Sequence, residues 1–106
     1  MKKKQIKETI ENNISILNYY GINAQIPVWV EEMSELTKVL CKWIRKGQLT
    51  GGTLKDLKEE IADITVCLDQ LKYAIDYMED ELMEQYKFKV DRQMQRIEEE
   101  KNPFIF

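Results

Sequence analysis

Residues 31–37, EEMSELT, and 59–65, EEIADIT, repeat one pattern: acid, acid, apolar, small, acid, apolar, threonine. Carboxylates three positions apart, Glu32 with Glu35 and Glu60 with Asp63, share a helix face and can jointly ligate a cation. With about 100° per residue and Met33 or Ile61 taken as the centre of the core stripe, Glu32 and Glu60 fall at about −100°. Glu35 and Asp63 fall at about −160° by the same count. Val28, Val39 and Trp43 surround the first pair, and Cys67, Leu71 and Ala74 the second. Solvated helix faces are the bland explanation, but such faces are not interleaved with apolar residues on both helices. The four carboxylates are therefore expected on a partly buried flank. Buried carboxylates are costly unless paired, protonated or bound to a cation. An all-oxygen donor set suits a hard divalent ion, Mg²⁺ or Mn²⁺.

Composition narrows the chemistry further. Histidine is absent from the 106 residues, which removes the commonest general base and any Ser-His or Cys-His nucleophile arrangement. Cys41 and Cys67 lie far apart in apolar runs and read as reduced, buried thiols of a cytoplasmic protein, so a zinc site is not expected. A net charge of −3 gives no electrostatic reason to expect a nucleic-acid polymer as partner. No run of 18 apolar residues is present for a membrane span, and the basic start MKKKQIKETIENN has no apolar segment behind it to act as a secretory signal.

The elements that must position the acids are helices. Glycines number four and prolines two in a chain rich in Leu, Glu, Lys, Ile and Met. A first helix carries Ile6, Ile10, Ile14 and Leu17 and stops at Gly21. A second starts near Asn23 to Pro27, turns Met33, Leu36, Leu40 and Ile44 inward and stops at Gly47. GQLTGGT is the clear loop. Thr53 with Asp56 reads as a capping box for the third helix, whose stripe is Leu57, Ile61, Ile64, Leu68, Leu71 and Ile75. A fourth runs from about Asp80 to Lys101. The apolar tail NPFIF is expected to dock, on this chain or on another subunit. The expected fold is all-α: four helices in a single domain over residues 1–106, built around an antiparallel helical hairpin that brings the acid clusters to similar heights.

E-E-x-x-E (Glu31, Glu32, Glu35) followed by E-x-x-D (Glu60, Asp63) resembles the signature of the all-α nucleoside triphosphate pyrophosphatases, the MazG-like superfamily. GINAQ ahead of the first motif and EEIADITVCLDQL around the second resemble the short phage or bacterial members, and the likeness spans about residues 20–97. The resemblance implies Mg²⁺-dependent hydrolysis of an NTP or dNTP between the α- and β-phosphates. It makes Glu32, Glu35, Glu60 and Asp63 metal ligands, and Glu31 or Glu35 the carboxylate that orients or deprotonates the attacking water. KVDRQMQRI resembles the basic late helix of the family, which implies that Lys89 and Arg92, with Arg96 on the same face, meet the phosphates. Gln25 and Trp29 are candidates to bond and stack a base, with Asn12, Asn13, Tyr19 and Tyr20 as more distant ones. Pro27 departs from the family pattern. A chain this short should associate through its apolar faces into a homodimer or homotetramer. The competing reading is a non-catalytic helical interaction module whose acidic groove binds a basic partner.

Overall fold

The computed structural model describes residues 1–102. All regular structure among them is helical: α1 (Lys3–Tyr20), α2 (Ile22–Lys46), α3 (Gly51–Ala74) and α4 (Glu79–Lys101). The docking expected of the tail falls, from residue 103 onward, outside the described residues. The chain divides into two compact units, Met1–Ile75 with α1 to α3, and a second that begins at Asp76 and contains α4. None of the four helices is long and apolar enough to cross a membrane.

Backbone chemistry sets the boundaries. Gly21 ends α1 at φ +85°, its N–H donating to Leu17 O at 2.8 Å, and Gly47 ends α2 in the left-handed region at φ +72°. Two starts differ from expectation. α2 begins at Ile22, so Pro27 sits beyond the first turn, where its missing N–H leaves the Asn23 carbonyl without its helical donor. α3 begins at Gly51, which makes Thr53 an interior residue rather than a cap. Thr53 is 1% exposed, and its Oγ1 accepts from Lys46 Nζ at 3.4 Å. The end of α3, which no Gly or Pro announces, is marked by Asp76 at φ +56°. Aspartate is among the few residues that tolerate that region.

Within the first unit α2 and α3, joined by residues 47–50, pack against each other, and α1 packs on both. The contact line differs from the one the apolar stripes suggest. One line of covered positions runs through Gln25, Trp29, Glu32, Leu36 and Val39 on α2 and through Thr53, Leu57, Glu60, Ile64, Cys67, Leu71 and Ala74 on α3, with the buried Gln70 beside it. Their steps alternate four and three, the spacing of a helix–helix seam. The seam is therefore centred on Glu32 and Glu60, one residue before the assumed centres. Met33, Leu40 and Ile44 of α2, Ile61 and Leu68 of α3, and Ile75 just past its end are exposed, Ile44 by 79%. The first helix behaves likewise: Leu17 is buried while Ile6 and Ile10 lie open. Leu17, Trp29 and Cys67 form the core, with Leu71 and Ala74 packed against it. Two carboxylates thus occupy seam positions that a purely structural helix pair would fill with Leu or Ile.

The second unit holds α4. Glu79, Asp80 and Glu81 fill its first turn, where negative charge suits the helix dipole. Lys87 pairs with Asp91 one turn on, and Lys101 approaches Glu98 at 3.8 Å. No residue of α4 is buried.

Candidate metal centre

The seam brings Glu32 of α2 together with Glu60 and Asp63 of α3. One carboxylate oxygen from each lies within 4.8 Å of the others. Helix pairing explains this: Glu32 and Glu60 are seam positions, and Asp63 follows Glu60 by one turn on the flank of α3. Among the described residues no Lys or Arg pairs with any of the three. Oε2 of Glu60 is closed off from solvent and has no hydrogen-bond partner among them.

The electrostatics follow from that placement. Burial is the main cause that lifts the Glu32 carboxyl above the ordinary 4.5; the charges of Asp63 and Glu60, a hydrogen bond with Asp63, and Glu31 add to it. Glu60 is lifted in the same direction, first by burial and then by Asp63, Glu35, Glu59 and Asp56. The Cys67 thiol is raised by burial, with Glu32 and Asp63 contributing. Three acids thus repel one another in a partly desolvated place, and one of their oxygens lacks a donor among the described residues. Protons or a cation would relieve that repulsion. Its donors are all oxygen, so a hard divalent ion fits the set.

The other predicted site residues fall in different places. Glu35 lies outside the close triad, its Oε1 held by Lys38 Nζ at 3.0 Å, although its charge still acts on Glu60. Glu31 is exposed, beside Glu32 in sequence and close enough to raise its pKa. Lys89, Arg92 and Arg96 belong to α4 and are exposed there, the Arg92 guanidinium 5.7 Å from the Phe88 ring centre. Tyr19 and Tyr20 are exposed and meet edge to face at 4.8 Å.

A cavity of about 210 Å³ opens beside the triad, lined by Ile16, Gln25, Val28, Glu32, Asp63, Val66, Cys67 and Gln70. Among the described residues a larger hollow, about 280 Å³, borders Gln95, Glu98, Glu99 and Asn102 and involves none of these groups. Behind the first cavity runs a chain of amides. Trp29 Nε1 donates to Gln70 Oε1 at 2.7 Å, and Gln25 Nε2 donates to the same oxygen at 3.0 Å. Gln70 Nε2 donates to Asn13 Oδ1 at 2.8 Å, and Asn13 Nδ2 donates to the Val66 carbonyl at 3.1 Å. Gln25 therefore stands on the cavity wall. Trp29 does not. It is 4% exposed, lies outside the cavity lining, and gives its N–H to Gln70.

Comparison with protein-family models, with curated proteins and with solved structures finds no match for this chain. The functional reading therefore rests on the residues themselves.

Gln70 escaped the sequence reading. It sits between Asp69 and Leu71, where an amide among charged neighbours gives no sign that it is buried. Asn13 was visible only as a distant candidate, because its partners lie more than fifty positions away.

Proposed function

We propose that the chain is a Mg²⁺-dependent nucleoside triphosphate pyrophosphohydrolase that cleaves an NTP or dNTP between its α- and β-phosphates. The products are a monophosphate and pyrophosphate, and the role is removal of surplus or noncanonical nucleotides. The observation that carries the reading is the partnerless triad Glu32, Glu60 and Asp63, with its orphaned Glu60 oxygen, beside a small cavity. The paired motifs, which resemble those of the MazG-like pyrophosphatases, supply the reaction class. In this reading α2 and α3 form the antiparallel hairpin of a MazG-like bundle in the cytoplasm. The exposed apolar positions Met33, Leu40, Ile61 and Leu68 mediate assembly into a homodimer or homotetramer.

Glu32, Glu60 and Asp63 would hold Mg²⁺, with Mn²⁺ as substitute, and Glu35 would join them by exchanging its bond to Lys38. When bound, the ion neutralises phosphate charge and lowers the pKa of a water bound to it. The protein's own part is to aim the phosphate and to take a proton from the attacking water. With no histidine in the chain, a carboxylate must accept that proton, and Glu31 and Glu35 are the two at hand. Gln25 offers an amide to the base from the cavity wall, and Trp29 supports it from the core. Lys89 and Arg92 are proposed as phosphate contacts from their resemblance to the basic helix of the family, a role that Lys89→Ala and Arg92→Ala would test by raised KM.

The deciding experiment is incubation with a panel of NTPs and dNTPs plus Mg²⁺, followed by quantification of monophosphate and pyrophosphate. Both products are expected in equal amounts from at least one nucleotide. No turnover of any nucleotide would refute the enzyme and leave the acidic groove as a docking surface for a basic partner.

A further inference from the structure

The amide chain behind the cavity has a direction, and that direction determines what the cavity can read. An indole N–H only donates and a backbone carbonyl only accepts, whereas a side-chain amide can turn either way. Trp29 Nε1 stands at one end of the chain, so the Gln70 atom facing it must be the oxygen. That oxygen also faces Gln25, so Gln25 must turn its nitrogen toward Gln70. At the other end the Val66 carbonyl requires the Asn13 nitrogen, which leaves the Asn13 oxygen to accept from Gln70. The two ends agree, and all three amides are locked in one sense. Gln70 is 2% exposed and Gln25 7%, so water does not compete for the two bonds that Trp29 and Gln25 donate to Gln70.

One polar atom of the chain is left over. Gln25 Oε1 has no partner among the described residues, yet it is not among the atoms sealed from solvent. Gln25 lines the cavity, as Gln70 does. We infer that Gln70 is a specificity-determining positioning residue: it holds the Gln25 amide so that the cavity presents a fixed acceptor and selects ligands with an N–H at that point. The inference rests on the nucleotide reading above and deepens it. The favoured substrates are bases with a free amino or imino N–H on the pairing edge, and bases alkylated there are excluded. A site built to bond a polar hydrogen rejects an analogue lacking it, because its own group is then left unpaired.

The test uses nucleosides, which carry no phosphate and need no metal, so its outcome is separate from that of the turnover assay. Thymidine and cytidine are titrated into the full-length protein, each against its analogue N-methylated on the pairing edge so that no N–H remains. Binding is followed by NMR on the Gln25 and Gln70 side-chain amides and the Trp29 indole N–H. Wild type should prefer the unmethylated form of at least one pair by about tenfold. Gln70→Glu keeps an oxygen facing Trp29 and Gln25 and should retain the preference. Gln70→Met removes that oxygen, frees the Gln25 amide to rotate, and should bring the ratio close to one. Gln25→Met removes the acceptor itself and should do the same if Gln70→Met fails to fold. A purely structural Gln70 would alter stability without altering the ratio. The inference is overturned if no nucleoside perturbs these signals, if wild type binds both forms of each pair alike, or if either methionine variant keeps the preference. Loss of the preference in Gln70→Glu overturns it as well.

Discussion

Two polar groups share the helices of the first unit, and they are constructed in opposite ways. The amide chain of Asn13, Gln25, Gln70 and Trp29 runs through the interior with a donor or acceptor matched at each link. The triad of Glu32, Glu60 and Asp63, two of which line the same cavity, has among the described residues neither a cationic partner nor a donor for one of its oxygens. Burial penalises unpaired polar groups, and charges most of all. A folded chain keeps the first kind of group for its own architecture. It keeps the second when something outside the chain completes it. The difference separates a wall from a site.

Substitutions on the two sides of this contrast should act in opposite directions. The largest effect is expected at the triad, where Glu60→Gln should lower kcat for pyrophosphate release by at least about a hundredfold. The same variant, free of metal at neutral pH, should melt no lower than wild type, since the lost group is a desolvated charge without a partner. Full activity in Glu60→Gln would show that the triad is not the site. Gln70→Met should behave inversely. It strands the Trp29 N–H in the interior, removes the donor to the half-buried Asn13 oxygen, and should cost about 1–3 kcal/mol in urea unfolding. Its metal-induced stabilisation should remain that of wild type. A Gln70→Met protein as stable as wild type would mean that the amide chain carries no net free energy.

The acids were legible in the sequence because they come in two copies with apolar neighbours. Cys67, Leu71 and Ala74 do line the buried side, as their interleaving with Glu60 and Asp63 implied, whereas Val28 and Trp43 beside the first pair are exposed. The helices were legible too, since Gly21 and Gly47 stop them through backbone conformations that other residues rarely adopt. The phase of the seam was not. Met33, Leu40, Ile61 and Leu68 form as good an apolar stripe as the true contact line, which is interrupted by Glu32, Glu60 and Gln25. Periodicity reports that a face is apolar, not which of two faces meets the neighbouring helix. Glu32 and Glu60 are consequently more enclosed than the helical count had them. Thr53 misled for a related reason: a hydroxyl three positions before an acid looks like a cap, yet here it fills the seam beside Lys46.

A divalent ion should supply what the triad lacks. Ten times the dissociation constant of Mg²⁺ should stabilise the wild-type fold by about 1.4 kcal/mol, seen as a raised melting temperature. Glu60→Gln should lose most of that rise while Gln70→Met keeps it. If millimolar Mg²⁺ and Mn²⁺ leave the wild-type melting curve unmoved, the cluster is not a cation site.

Protons offer the triad a weaker substitute for the ion, and they sharpen the contrast with the uncharged amides. Glu32 and Glu60 have folded-state pKa values above 4.5, so around and above that pH the folded chain holds protons that the unfolded chain has released. The stabilisation from those protons is complete below the unfolded value and disappears as the pH rises through the folded values. The urea midpoint of the metal-free protein, to the extent that these two groups set it, should therefore climb as the pH falls from neutral toward 4.5. The double variant Glu32→Gln, Glu60→Gln should flatten the climb, whereas Gln70→Met, which removes no titrating group, should shift the whole profile downward without altering its slope. Saturating Mg²⁺ should reverse the trend for wild type, because the ion binds the deprotonated carboxylates and is displaced by protons. Equal slopes in wild type and the double variant would mean that the two glutamates titrate as freely in the folded chain as in the unfolded one. The repulsion inferred from their positions would then be absent.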